Sequence, residues 1–311
     1  MTARSKDLVV RKELPTQAKL RLKVPLTRDS QGIYSLAVSP DGQQLIVGFG
    51  NGAIQAVDPM SGKAVRDVFS GGVSRQATTA LCFHPMDNSY LVSVGAEGIV
   101  GVYNPLTGAC LHTFTEEDNQ LYTVDISADG ATFATAGRNR GIRIYDTRNN
   151  HLINVLEPAD HVTSGKELKP IDGHTRRIYA LRFHPQERHI FVSGGWDDSI
   201  KNNKILTGSW VARNALQIWD FRKSSVEKNV AFPSSIDHGE FIYAARYCTG
   251  DTVIAGGSGT NSAQVINIKN DTVLGEFNLE QHPVHTVATA LDGQQIAVAG
   301  DHGNLQVGYL V

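Results

Sequence analysis

The sequence is short of cysteine, of charge imbalance and of long apolar runs, and each shortage removes a class of protein. Three cysteines, Cys82, Cys110 and Cys248, stand singly among 311 residues without a CxxC pair, so neither a disulfide framework nor a zinc site is written here. They read as reduced packing residues. Lysines and arginines number 29 against 31 aspartates and glutamates, a formal net charge of -2 that gives no reason to expect nucleic acid or a membrane surface as partner. No stretch reaches the ~18 to 20 uninterrupted apolar residues that cross a bilayer, and the opening MTARSKDLVVRKELP has no apolar signal core. A cytoplasmic location is the expectation, with the nucleus as the other candidate. Nor does any nucleophile stand with a base, any carboxylate pair share a cleft pattern, or any metal-ligand spacing occur. No catalytic residue, metal or cofactor is expected, and the chain does not read as an enzyme. Glycine clusters at Gly48-Phe49-Gly50-Asn51-Gly52 and Gly256-Gly257-Ser258-Gly259 lack the downstream Lys-Ser or Lys-Thr of a phosphate loop and are expected to be hairpin turns.

What the sequence does contain is a repeat. Alternating apolar segments that run into a tight turn recur as IYSLAVSPDG from Ile33, TALCFHPMD from Thr79, LYTVDISADG from Leu121, IYALRFHPQ from Ile178, IYAARYCTGD from Ile242 and VHTVATALDG from Val284. A second apolar run, a small-residue turn and a third run follow, as in QQLIVGFGNGAIQAVD and ATFATAGRNRGIRIYD. A fourth run closes several units, as in ACLHTF and HLINVL. Four antiparallel strands at a period in the forties predict an all-β propeller of four-stranded blades.

Gly173-His174 before a first strand, Trp219-Asp220 closing a third strand, the softened Tyr145-Asp146 and Tyr103-Asn104, and Ser39-Pro40-Asp41-Gly42 in an inner turn give the chain its resemblance to the WD-repeat family. The resemblance covers residues 33 to 311 and is specific for architecture rather than activity. It implies structural roles for His174, for Asp197 in the tight turn between second and third strands, and for Trp219 and Asp220. Asn51, Glu97 and Asn139 replace the tight-turn aspartate elsewhere.

Two features concern completeness of the ring. The last unit stops at a third strand, LQVGYLV, while AKLRLKVPL near the other end alternates Leu20, Leu22 and Val24 against Arg21 and Lys23. We therefore expect a basic tail over 1–17 and a single propeller over 18–311, closed by a strand from 18–26 on the last blade. Second strands start near residues 45, 91, 132, 190, 205, 253 and 295, and the step from 190 to 205 is about 26 residues too short. Either a seven-bladed pattern has lost a segment near Lys201-Asn202, leaving six complete blades or an incomplete seven-bladed ring, or the runs after residue 190 serve one blade with altered faces. The polar stretch from Glu157 to His174 is an insertion on the expected channel-mouth side, either functional or an unstructured surface loop.

One repeat position, the second residue of each inner strand, is occupied by Tyr34, Thr79, Tyr122, Tyr179, Tyr243 and His285. It lies at the strand end nearest the mouth, where rigid amphipathic rings serve as interface anchors. Arg138 and Trp196 precede tight turns nearby, and Arg177 precedes Tyr179. The expectation is a protein-binding face formed by Tyr34, Tyr122, Arg138, Arg177, Tyr179, Trp196, Tyr243 and His285, with wedging between blades as the competing role for the tyrosines. The function expected is a scaffold or adaptor holding a protein or peptide within a multi-protein complex. The alternative is a substrate-recognition subunit of a ubiquitin-ligase or chromatin complex, with Arg138, Arg140 and Arg177 gripping acidic or phosphorylated motifs.

Overall fold

The computed structural model describes residues 15–26, 32–71, 76–157, 174, 176–183, 191–195, 204–208, 215–220, 225–232, 241–249, 251–290 and 293–311. Trp196 and Asp197, like the junction at Lys201-Asn202, lie outside these residues, and Trp219 and Asp220 are described in backbone only.

Strand follows strand along the chain. β1 spans Ala18–Pro25, and the first blade then comprises β2 (Ile33–Val38), β3 (Leu45–Phe49), β4 (Ile54–Val57) and β5 (Ala64–Phe69). The second comprises β6 (Thr78–His84), β7 (Asp87–Gly95), β8 (Ile99–Asn104) and β9 (Ala109–Thr115); the third, β10 (Leu121–Ile126), β11 (Thr132–Gly137), β12 (Ile142–Asp146) and β13 (Leu152–Leu156). Two partial sheets follow. One pairs β14 (Ile178–Phe183) with β15 (Phe191–Gly195), and the other joins β16 (Lys204–Gly208), β17 (Leu216–Asp220) and β18 (Ser225–Asn229). A full blade then returns with β19 (Phe241–Tyr247), β20 (Thr252–Ser258), β21 (Ser262–Asn267) and β22 (Thr272–Asn278). The last blade runs β23 (Val284–Ala290), β24 (Gln295–Gly300) and β25 (Asn304–Leu310), with β1 as its fourth strand.

Local chemistry explains the recurrence. The acid or amide at the end of the third strand opens the next hairpin as an Asx turn in four blades, accepting the amide two residues on: Met60 N to Asp58 at 2.8 Å, Leu106 N to Asn104 at 2.9 Å, Arg148 N to Asp146 at 2.7 Å and Lys269 N to Asn267 at 2.9 Å. The inner turns repeat a second device, in which Ser39 and Ser127 donate to Asp41 and Asp129 at 2.6 and 2.7 Å.

Packing is between blades. Phe49, Leu45 and Ile33 of the first blade meet Leu305 and Val307 of the last, and Phe133 and Tyr145 of the third meet Val92 and Val102 of the second. Apolar clusters of this kind bridge every neighbouring pair of sheets except β14–β15 and β16–β18, between which the described residues form none. Among the described residues the fold is therefore a β-propeller with five complete blades and two partial ones. Of the two outcomes left open by the strand spacing, six complete blades or an incomplete seven-bladed ring, the described residues form the second.

Polar groups complete the blades from within. Glu116, 5% exposed, accepts hydrogen bonds from Thr135 Oγ1 at 2.5 Å, Asn119 Nδ2 at 2.8 Å, Tyr145 OH at 2.9 Å and Arg143 NH1 at 2.5 Å. Buried His174 sits equivalently in its own blade, Nε2 lying 2.8 Å from Ser193 Oγ. Thr135 and Ser193 are the same second-strand position, so Glu116 fills in the third blade the place His174 fills in the next.

Two details differ from the expectations. Leu20 does not pack; a bulge between Leu20 and Leu22 shifts β1 on β25, leaving Leu20 43% exposed while Ala18, Leu22 and Val24 pack inward. And Gly48, Phe49, Gly256 and Gly257 are not hairpin-turn residues but strand residues of β3 and β20. A Cβ on Gly257 would stand 1.7 Å from the Phe241 carbonyl oxygen, so the glycine permits close approach of two strands.

Candidate functional site

The inner strands β23, β2, β6, β10 and β14 pack one against the next, as do β19 and β23, and their first residues share one end of the ring. Each carries the same irregularity. The pairing register skips one residue between Ile33 and Ser35, Thr78 and Ala80, Leu121 and Thr123, Ile178 and Ala180, Ile242 and Ala244, and Val284 and Thr286. The skipped residues are Tyr34, Thr79, Tyr122, Tyr179, Tyr243 and His285, so the whole repeat position consists of bulge residues. A bulge leaves its extra residue outside the ladder and re-aims the side chain.

Glycine accompanies the bulge in five of the six inner strands. Gly95, Gly137, Gly195, Gly257 and Gly300 each stand opposite the residue before the bulge, and a Cβ would lie 2.0 Å from Gln120 O at Gly137 and 1.9 Å from Pro283 O at Gly300. Only the first blade differs, with Phe49 opposite Ile33. Sequence reasoning found the tyrosines but not the bulge; the recurring glycine at the end of the second strand was its signal.

The released side chains form two arcs. Tyr122 and Tyr179 stack with centroids 4.7 Å apart and planes 18° apart. Tyr243, His285 and Tyr34 follow one another at 6.2 and 5.2 Å. Tyr34, Tyr179 and Tyr243 are 39%, 40% and 41% exposed, values at odds with rings spent entirely as wedges, while Tyr122 and His285 are half-buried. Thr79 interrupts the aromatic run on one side, donating to Leu121 O at 2.7 Å. The partial sheet β16–β18, which has no inner strand among the described residues, interrupts it on the other.

Polar groups fix the rings without consuming them. Tyr243 OH lies 2.9 Å from Ser258 Oγ, and Tyr122 OH donates to Gln120 Oε1 at 2.9 Å. Burial raises the Tyr122 hydroxyl pKa against the opposing pull of the Arg177 guanidinium. Arg177 is in turn held more firmly charged by Tyr179 and Tyr122. Arg138 is exposed beside Tyr122, and His285 Nε2 faces Asp301 Oδ1 at 3.5 Å while its Nδ1 is buried without a partner. The geometry thus brings Tyr122, Tyr179, Arg138 and Arg177 together and, separately, Tyr34, Tyr243 and His285.

The family model described as WD domain, G-beta repeat matches residues 108–146 and 165–201. These stretches hold the Glu116 and His174 networks, and the second ends at the junction where the strand spacing breaks. A target of rapamycin complex subunit of Schizosaccharomyces pombe is 23% identical over 236 residues, covering 72% of this chain and 60% of its own length. A target of rapamycin complex subunit of Saccharomyces cerevisiae is 25% identical over 139 residues, covering 45% of this chain and 36% of its own. A cell division cycle cofactor of the APC complex from Arabidopsis thaliana is 22% identical over 190 residues, 60% of this chain and 38% of its own. The chain therefore spans less than two thirds of these relatives. Repeated Asx-turn blades, the propeller topology and these matches together make the chain similar to WD-repeat proteins, with WD repeats matched at residues 108–146 and 165–201.

Proposed function

We propose that the chain is a non-catalytic interaction platform whose binding face is the ring of bulge residues at one end of the propeller. The observation that carries this reading is the coincidence of a bulge, a tyrosine or histidine and partial exposure at one repeat position. Bulges re-aim side chains where function needs them, and tyrosine and arginine dominate binding hot spots. A rigid ring presents them with little entropy left to lose, because each tyrosine has two rotatable bonds and several are already stacked. The relatives named as complex subunits or cofactors favour a partner within a multi-protein assembly.

A second reading rests on Arg177 and Arg138 beside the Tyr122–Tyr179 stack, an arrangement suited to an acidic or phosphorylated segment and hence to substrate recognition. Quantitative affinity capture separates the two. Replacing Tyr34, Tyr179 and Tyr243 with serine should reduce capture at least ~10-fold, since each anchor contributes more than ~1 kcal/mol. Replacing exposed Val65 and Leu152 on the outer strands should change nothing. Phosphatase treatment that abolishes capture selects the second reading. Equal capture by the serine variant and the wild type refutes both.

A further inference from the structure

Three residues beyond each bulge, the inner strands carry a second matching level: Ala37, Cys82, Asp125, Arg182, Arg246 and Ala288. At ~3.3 Å per residue this level lies about 10 Å further along the inner strands. Small residues occupy two positions, and four chemically active groups occupy the rest.

Asp125 is fully engaged. Its Oδ2 accepts the Phe183 amide at 2.7 Å; its Oδ1 accepts the Cys82 thiol at 3.4 Å and lies 3.6 Å from Arg182 NH1. Burial and the Asp125 charge push the Cys82 pKa upward, so the thiol stays neutral. Arg182 also donates to Leu181 O at 3.1 Å and Val124 O at 3.4 Å.

Among the described residues Arg246 has no carboxylate of its own. Its Nε donates to Val287 O at 3.1 Å, and among the described residues its two terminal nitrogens meet no acceptor. Its strongest electrostatic neighbour is Arg182, whose like charge together with burial pulls the Arg246 pKa down to about 10. Among the described residues the two guanidinium groups thus share one carboxylate, which leaves one positive charge without a partner. A guanidinium in such surroundings is costly unless something pairs with it. Its free fork is shaped for two parallel hydrogen bonds to an oxyanion.

We propose that Arg246 and Arg182 form a receptor site for one oxyanion, a carboxylate or phosphate group, held within the ring of inner strands. The site is separate from the tyrosine ring and does not depend on its role. Phosphate and acetate serve as probes for the two sources of that chemistry, against chloride at matched ionic strength.

The test is thermal denaturation of the full chain with Arg246→Met and an exposed control away from the tyrosine ring, Arg148→Met. In chloride, Arg246→Met should melt no lower than wild type, because it removes a like-charge contact. Wild type and Arg148→Met should gain about 5 °C in ~50 mM of the preferred oxyanion, the gain expected for a millimolar site. Arg246→Met should gain less than a third of that, and the larger of the phosphate and acetate shifts names the ligand. General salt stabilisation moves all three proteins equally and overturns the proposal, as does a wild type that neither probe shifts. An Arg246→Met variant that melts lower in chloride and keeps the oxyanion shift also overturns it, assigning Arg246 to tying β19 to β23.

Discussion

Replacing Glu116 tests the internal architecture most sharply, because one carboxylate there holds four donors. Glu116→Leu keeps the volume but strands the hydroxyls of Thr135 and Tyr145, the Asn119 amide and the Arg143 guanidinium, whose side chain is only 24% exposed. Removing one partner of a buried ion pair costs about 3 to 5 kcal/mol, since the other charge stays behind without compensation. For a protein of this size that lowers the melting midpoint by about 6 to 20 °C. Glu116→Gln retains an oxygen for Thr135 and Tyr145 and loses only the charge facing Arg143, a cost of about 1.5 to 3 kcal/mol. The decisive sample is the double variant Glu116→Leu/Arg143→Met, which removes both charges and should recover a large part of the loss. Urea titration followed by circular dichroism measures all four proteins. A Glu116→Leu cost below about 1 kcal/mol, or no recovery in the double variant, would refute the reasoning.

Deleting residues 1–25 strips β1 from β25 with the packing of Leu22 and Val24, and should lower the midpoint by several degrees and promote association through the bared edge, read by light scattering. Alkylation at pH 8 should modify exposed Cys110 alone, because burial pushes Cys248 up to about 12 and Cys82 further still; peptide mass mapping that finds either buried thiol modified contradicts this. Asp58 has its pKa depressed below 3.8, chiefly by the Ser61 hydroxyl. Its ionised form therefore contributes stability that is present above pH 3.8 and lost as pH falls through the depressed value, so Asp58→Asn should flatten the acid limb of the stability curve. Inserting a third, a fourth and an inner strand between Lys201 and Asn202 should raise the midpoint by several degrees if the two partial blades are the weak seam; calorimetry showing no gain would disprove that.

The strands were legible because an amphipathic strand writes its period in the sequence: the second strands expected near 45, 132 and 295 begin at Leu45, Thr132 and Gln295. The break between 190 and 205 was legible for the same reason, and it appears as β15 and β16 in separate sheets. Register is different. A bulge costs one residue of pairing and leaves the alternation on either side looking ordinary, so Tyr34 and Tyr243 were visible as a repeated position but not as residues released from the ladder. Glu116 was hidden because the pattern there is a carboxylate where the resemblance supplies histidine; only the shared partner position, Thr135 and Ser193, reveals the equivalence. The oxyanion level was invisible for a third reason. Arg182 and Arg246 lie on strands 64 residues apart and are joined only by the ring.

The central claim is that the bulge ring, not the outer strands, meets the partner. Hydrogen–deuterium exchange tests it directly, comparing the chain alone with the chain bound to a tight-binding peptide selected from a random display library. Protection should concentrate at residues 33–35, 121–123, 177–180, 242–244 and 284–286, with β5, β9 and β13 unchanged. Protection confined to those outer strands, with the bulges exchanging as in the free chain, would contradict the account.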